Sequence, residues 1–67
     1  MNKYAVGNYL IIGFDRIGTK LFTKIARSRT HMGAVAEGEQ LRIDDECASF
    51  ATLRVQHNSL SRETLEW

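Results

Sequence analysis

The chemistry-bearing residues of this 67-residue chain are mostly cations, and their spacing suits a polyanion. Lys20, Lys24 and Arg27 stand four and three apart, which on a helix gathers them on one face. Arg16, four before Lys20, joins them if the helix runs on. Cations at this pitch can follow a row of phosphates. Directly after them, Ser28-Arg29-Thr30 gives a short polar run at a helix start. An arginine there can bind guanine O6 and N7 bidentately, worth about 1–3 kcal/mol of discrimination. The competing reading is a solvated face, with Arg29 paired to Glu37 or Glu39.

Other constellations carry less. Gly13-Phe14-Asp15-Arg16-Ile17-Gly18 has the outline of a dinucleotide-binding turn, but Asp15 puts a carboxylate where a pyrophosphate would approach. Asp44, Asp45 and Glu46 lack the further ligands and the glycine of a calcium loop, so they read as a solvated turn. His31 and His57 stand apart from each other and from Cys47, which gives no Cys-His nucleophile pair. No metal site, cofactor or catalytic residue is expected, and the chain reads as a non-enzyme.

Length sets the frame for these residues. A chain of 67 residues, 43% hydrophobic, makes one small domain over 1–67 with a marginal core. One cysteine excludes an internal disulfide, so self-association is the expected extra source of stability. The single thiol and the lack of a signal or membrane span point to the cytoplasm. The net charge of +1 hides a division. Up to Ala36, Lys3, Arg16, Lys20, Lys24, Arg27 and Arg29 face Asp15 alone. Beyond it, Arg42, Arg54 and Arg62 face Glu37, Glu39, Asp44, Asp45, Glu46, Glu63 and Glu66. Such asymmetry points to an anionic partner for the first part.

The elements follow from periodicity and glycine punctuation. Lys3 to Val6 reads as a short strand closed by a turn at Gly7-Asn8. Leu10, Phe14 and Ile17 share a helical face, with Gly18 as stop and Thr19 as cap for a second helix to Ala26. A third helix, Arg29 to Glu37, turns Met32 and Val35 inward and ends at Gly38. A single helix from Asp15 to Ala36 fits the same pattern. After Gly38 the period becomes two, and residues 40–56 read as a hairpin turning at Asp45-Glu46-Cys47-Ala48. Phe50, Leu53 and Val55 are then candidates for a dimer interface. Residues 58–67 read as a frayed tail or a terminal helix capped by Ser59 or Ser61. The expected fold is α+β: three short helices followed by a C-terminal β-hairpin.

The run from Leu21 to Glu39 resembles the helix-turn-helix of Cro/repressor-class phage regulators. Ala26 fits the small residue closing the first helix. Ser28-Arg29-Thr30 fits the start of the recognition helix, Met32 and Val35 the inward apolar pair, and Gly38-Glu39 the exit. Cro proteins of lambdoid phages are of similar size and follow their helices with a hairpin that pairs subunits, which residues 40–56 resemble in outline.

The resemblance implies a homodimeric transcription regulator, a repressor of phage type in a bacterial host, bound to double-stranded DNA. Arg29, Thr30 and Ser28 would probe the major groove, while Lys20, Lys24 and Arg27 hold phosphates. The alternative is a small phage- or plasmid-type inhibitor whose acidic half docks on a host protein.

Overall fold

The computed structural model describes residues 6–56. The expected strand at 3–6, the tail at 58–67 and its caps Ser59 and Ser61 therefore lie wholly or mostly outside the described residues. Within them the order is β1 (Tyr9–Phe14), β2 (Lys20–Ile25), α1 (His31–Ile43) and β3 (Ser49–Arg54). This overturns three helices followed by a hairpin: there is one helix, and the three strands form one antiparallel sheet in the order β2-β1-β3.

Residues 9–14 form a strand because Tyr-Leu-Ile-Ile-Gly-Phe is a short apolar run between turn signals, two of its members β-branched. A central strand buried on both faces has just this pattern, and spacing alone cannot tell it from a helical face. Leu10, Ile11 and Ile12 are indeed all but inaccessible. Asp15 closes the β1–β2 connection. Its carboxylate Oδ1 accepts the N–H groups of Ile17 (3.0 Å) and Thr19 (2.8 Å). Gly18, read above as a helix stop, instead takes the left-handed φ of +88° that this turn requires. Ile17, placed above on a helical face, stands 87% exposed at the turn.

β2 occupies the segment expected to be the first helix of the helix-turn-helix, so that motif does not form. The residues pair with β1 from Leu10↔Ile25 to Gly13↔Phe22, and the register then shifts to Phe14↔Lys20. β3 pairs with the other side of β1, from Tyr9↔Arg54 to Phe14↔Ser49. The expected hairpin at 40–56 is likewise replaced, its first half by the end of α1 and its second by β3. Since β2 and β3 are both antiparallel to β1, they run parallel to each other. Strands so related need a long connection, and α1 supplies it.

α1 lies over β1 and β3. Ala34, Gly38 and Leu41 share its inner face, meeting Ile11, Tyr9 and Phe50. Gly38 is no terminator: it is buried mid-helix, and the Phe50 ring occupies the space where its side chain would be. Met32, expected inward, is 83% exposed. The helix ends later in a Schellman arrangement: Glu46 N–H donates to the Leu41 carbonyl (2.9 Å) and Asp45 N–H to that of Arg42 (3.1 Å). Asp45 holds the left-handed position, at φ +65°. Among the described residues no helix is long and apolar enough to cross a membrane.

Candidate nucleic-acid interface

The start of β1, the end of β2, the end of β3 and the N-terminus of α1 meet at one end of the sheet. Register places Arg54 of β3 beside Tyr9, and the Tyr9 ring lies 5.9 Å from the His31 ring, tilted by 49°. The guanidinium of Arg29 lies over Gly7, which the Gly7 N–H bond to the Val55 carbonyl (2.9 Å) fastens to the end of β3. Lys24, opposite Ile11, stands on the helix side of β2. Arg27 follows Ala26, whose N–H donates to the Tyr9 carbonyl (2.8 Å). Arg27, Arg29 and Arg54 thus lie about the entry to α1, while Lys24 stands further along the helix beside Glu37, Gln40 and Leu41, and none of the four makes an ion pair among the described residues.

Two devices shape the loop that carries these arginines. Thr30 caps α1, its Oγ1 accepting the N–H of Gly33 (3.1 Å), while Ser28 Oγ accepts the N–H of Thr30 (3.1 Å) and bonds to its hydroxyl (2.9 Å). Two turns into the helix, Glu37 accepts the N–H groups of Arg27 and Ser28, both at 2.9 Å. The bond from Arg27 is the largest cause holding the Glu37 carboxyl below its ordinary range; burial opposes it, and the bond from Ser28 and the charges of Arg27 and Lys24 add to the lowering. Beside this clasp runs an open cleft between β2 and α1, lined by Lys24, Arg27, Glu37, Gln40 and Leu41. A second, of about 310 Å³, is lined by Phe22, Lys24 and Glu46.

The opposite end is mixed, with Arg16 and Lys20 beside a larger number of carboxylates. Asp15 lies in the β1–β2 turn, and Asp44, Asp45 and Glu46 follow α1 where Ala48 N–H meets the Phe14 carbonyl (2.8 Å). Glu39 and Arg42 neutralise each other through two bonds, at 2.9 and 3.1 Å. Among the described residues no three His, Cys, Asp or Glu side chains gather as metal ligands.

Of the residues expected to contact DNA, the structure brings together Arg29, Arg27 and Lys24. Lys20 begins β2 at the far end, about 13 Å away along the strand. Ser28 and Thr30 commit their hydroxyls to the cap and to each other. Of the expected dimer residues, Val55 is fully buried, Phe50 packs against Gly38, and Leu53 is half-buried beside Leu10. Sequence reasoning missed Arg54 and Tyr9. Arg54 was grouped with the acidic part because only the β1–β3 register carries it to Tyr9.

No family model, no curated protein and no solved structure matches the chain.

Proposed function

We propose that this protein binds double-stranded DNA through the basic end, with Lys24, Arg27, Arg29 and Arg54 on phosphates and the Tyr9–His31 pair beside them. The observation that carries this is the gathering of Arg27, Arg29 and Arg54, from a loop and a strand end, around a helix N-terminus with no acidic residue in its first turn, with Lys24 in the adjoining cleft. Backbone N–H groups at that terminus add positive potential. Placing arginines there opposes what helix stability favours, as does placing Asp44, Asp45 and Glu46 at the C-terminus. An arrangement unfavourable to the helix at its start, and offset at its end only by Arg42, which Glu39 already pairs, is better accounted for by a partner than by folding. No catalytic step belongs to this reading.

Titration of duplex DNA against salt tests it. Four phosphate contacts give a slope of log affinity against log salt near −3.6, about −0.9 per contact, and Arg29→Ala lowers its magnitude by about 1. Absence of affinity at low salt, or a slope unchanged in both Arg29→Ala and Arg54→Ala, refutes the reading. The second reading, an inhibitor docking on a host protein, draws on the acids at the other end. It predicts a partner whose binding is lost in Glu46→Lys and kept in Arg29→Ala.

A further inference from the structure

The outer edge of β2 has no neighbour among the described residues; Lys20 and Lys24 charge the strand, but large apolar side chains between and after them remain exposed. Leu21, the unpaired residue where the β1–β2 register shifts, is 51% exposed, and Ile25, opposite Leu10 on the face away from α1, is 44% exposed. We propose that β2 pairs antiparallel with β2 of a second copy, about a two-fold axis through Thr23, to make one six-stranded sheet.

The backbone fixes which residues can pair. Ala26 N–H bonds to Tyr9, and hydrogen-bonded positions alternate along an antiparallel ladder, so Lys24 and Phe22 turn their backbone groups toward β1. Thr23 and Ile25 then turn theirs to the open edge. A perpendicular two-fold axis pairs positions of equal parity, which leaves centres at Phe22, Thr23 or Lys24 within the strand. A centre at Phe22 sets Lys20 against the partner's Lys24, and a centre at Lys24 sets that lysine against its copy. Like charges directly opposite are unfavourable. The Thr23 register avoids both.

In that register each exposed Leu21 meets the partner's Ile25, twice by symmetry, extending the apolar face that includes Leu10 and Ile12. Thr23 exchanges N–H and C=O bonds with its copy. Its Oγ1 is buried without a hydrogen-bond partner in the single chain, and paired threonines on facing strands can satisfy each other's hydroxyls. On the helix side Phe22 faces the partner's Lys24, whose ammonium enters the cleft shared by Phe22 and Glu46. Antiparallel pairing also lays Lys24 and Arg27 of one copy along the end of the other where Asp15, Asp44, Asp45 and Glu46 outnumber Arg16 and Lys20. The occupant is thus a second copy of this chain.

Cross-linking tests both the contact and its register. In a Cys47→Ala background, Thr23→Cys should oxidise to a covalent dimer, since paired Cα atoms about 5.5 Å apart suit a disulfide. Leu21→Cys and Ile25→Cys should each stay uncross-linked alone and cross-link when mixed. Sedimentation should show concentration-dependent wild-type dimers, weakened about tenfold or more in Thr23→Pro, which removes an N–H the monomer does not use. If circular dichroism shows that Thr23→Pro does not fold, Leu21→Lys at its exposed site should give the same loss. A wild-type chain monomeric at high micromolar concentration overturns the proposal. So does dimerisation undiminished in a folded Thr23→Pro or Leu21→Lys, or cross-linking of Leu21→Cys alone with none in Thr23→Cys.

Discussion

The carboxylate of Glu37 ties the arginine-bearing loop to α1, so protonating it loosens the basic end. Its pKa lies below the usual 4.5 in the folded chain. The stability it contributes is therefore complete above about pH 4.5 and is lost as pH falls through the lowered value. Denaturant melts from pH 7 to pH 3 should show this acid loss, and Glu37→Gln should flatten it while costing about 1 kcal/mol at pH 7. Asp45 offers the opposite kind of test. It holds the left-handed position that ends α1, where glycine avoids the Cβ penalty. Asp45→Gly should raise stability by about 0.5–1 kcal/mol in urea unfolding, with the far-ultraviolet spectrum unchanged.

α1 buries small residues and leaves large ones outside: Ala34 and Gly38 face the sheet, while Met32 and Ile43 are exposed. Gly38 admits the Phe50 ring, so Gly38→Ala should destabilise by about 1–3 kcal/mol despite alanine's better helix propensity, as thermal melts would show. This inversion also explains what was legible beforehand. A helix in the region of 29–37 was readable from the polar Ser28-Arg29-Thr30 run, although its cap is Thr30 and it begins only at His31, two residues later than Arg29. Its extent was not, because Gly38 looks like a stop until Phe50 is known to lie over it. Leu53 alternated correctly with Thr52 and Arg54 as a strand residue, with Val55 just past the end of β3, yet the partner of that strand is β1, a segment read as helix. Leu10, Phe14 and Ile17 matched a helical face by coincidence of spacing in an apolar run too short for periodicity to decide. For the candidate site, Arg27 and Arg29 were accessible through their neighbourhood in the chain. Arg54 depended on non-local register, which composition does not carry.

Charge in this protein is ordered along α1, cations at its start and carboxylates at its end, in the same sense as the peptide dipoles of the helix itself. The contributions add rather than cancel, although the net charge of the whole chain is only +1. A nearly neutral molecule built this way approaches a polyanion with one end leading, and the steering weakens steeply with ionic strength. Pairing through β2 changes the electrical character altogether. A two-fold axis perpendicular to the sheet cancels every component of the dipole moment lying in the sheet plane. Dielectric relaxation at low salt should therefore show an increment per chain that falls as concentration rises, while Thr23→Pro keeps the high value. The monomer would turn in an applied field; the dimer would scarcely respond to one lying in its sheet plane.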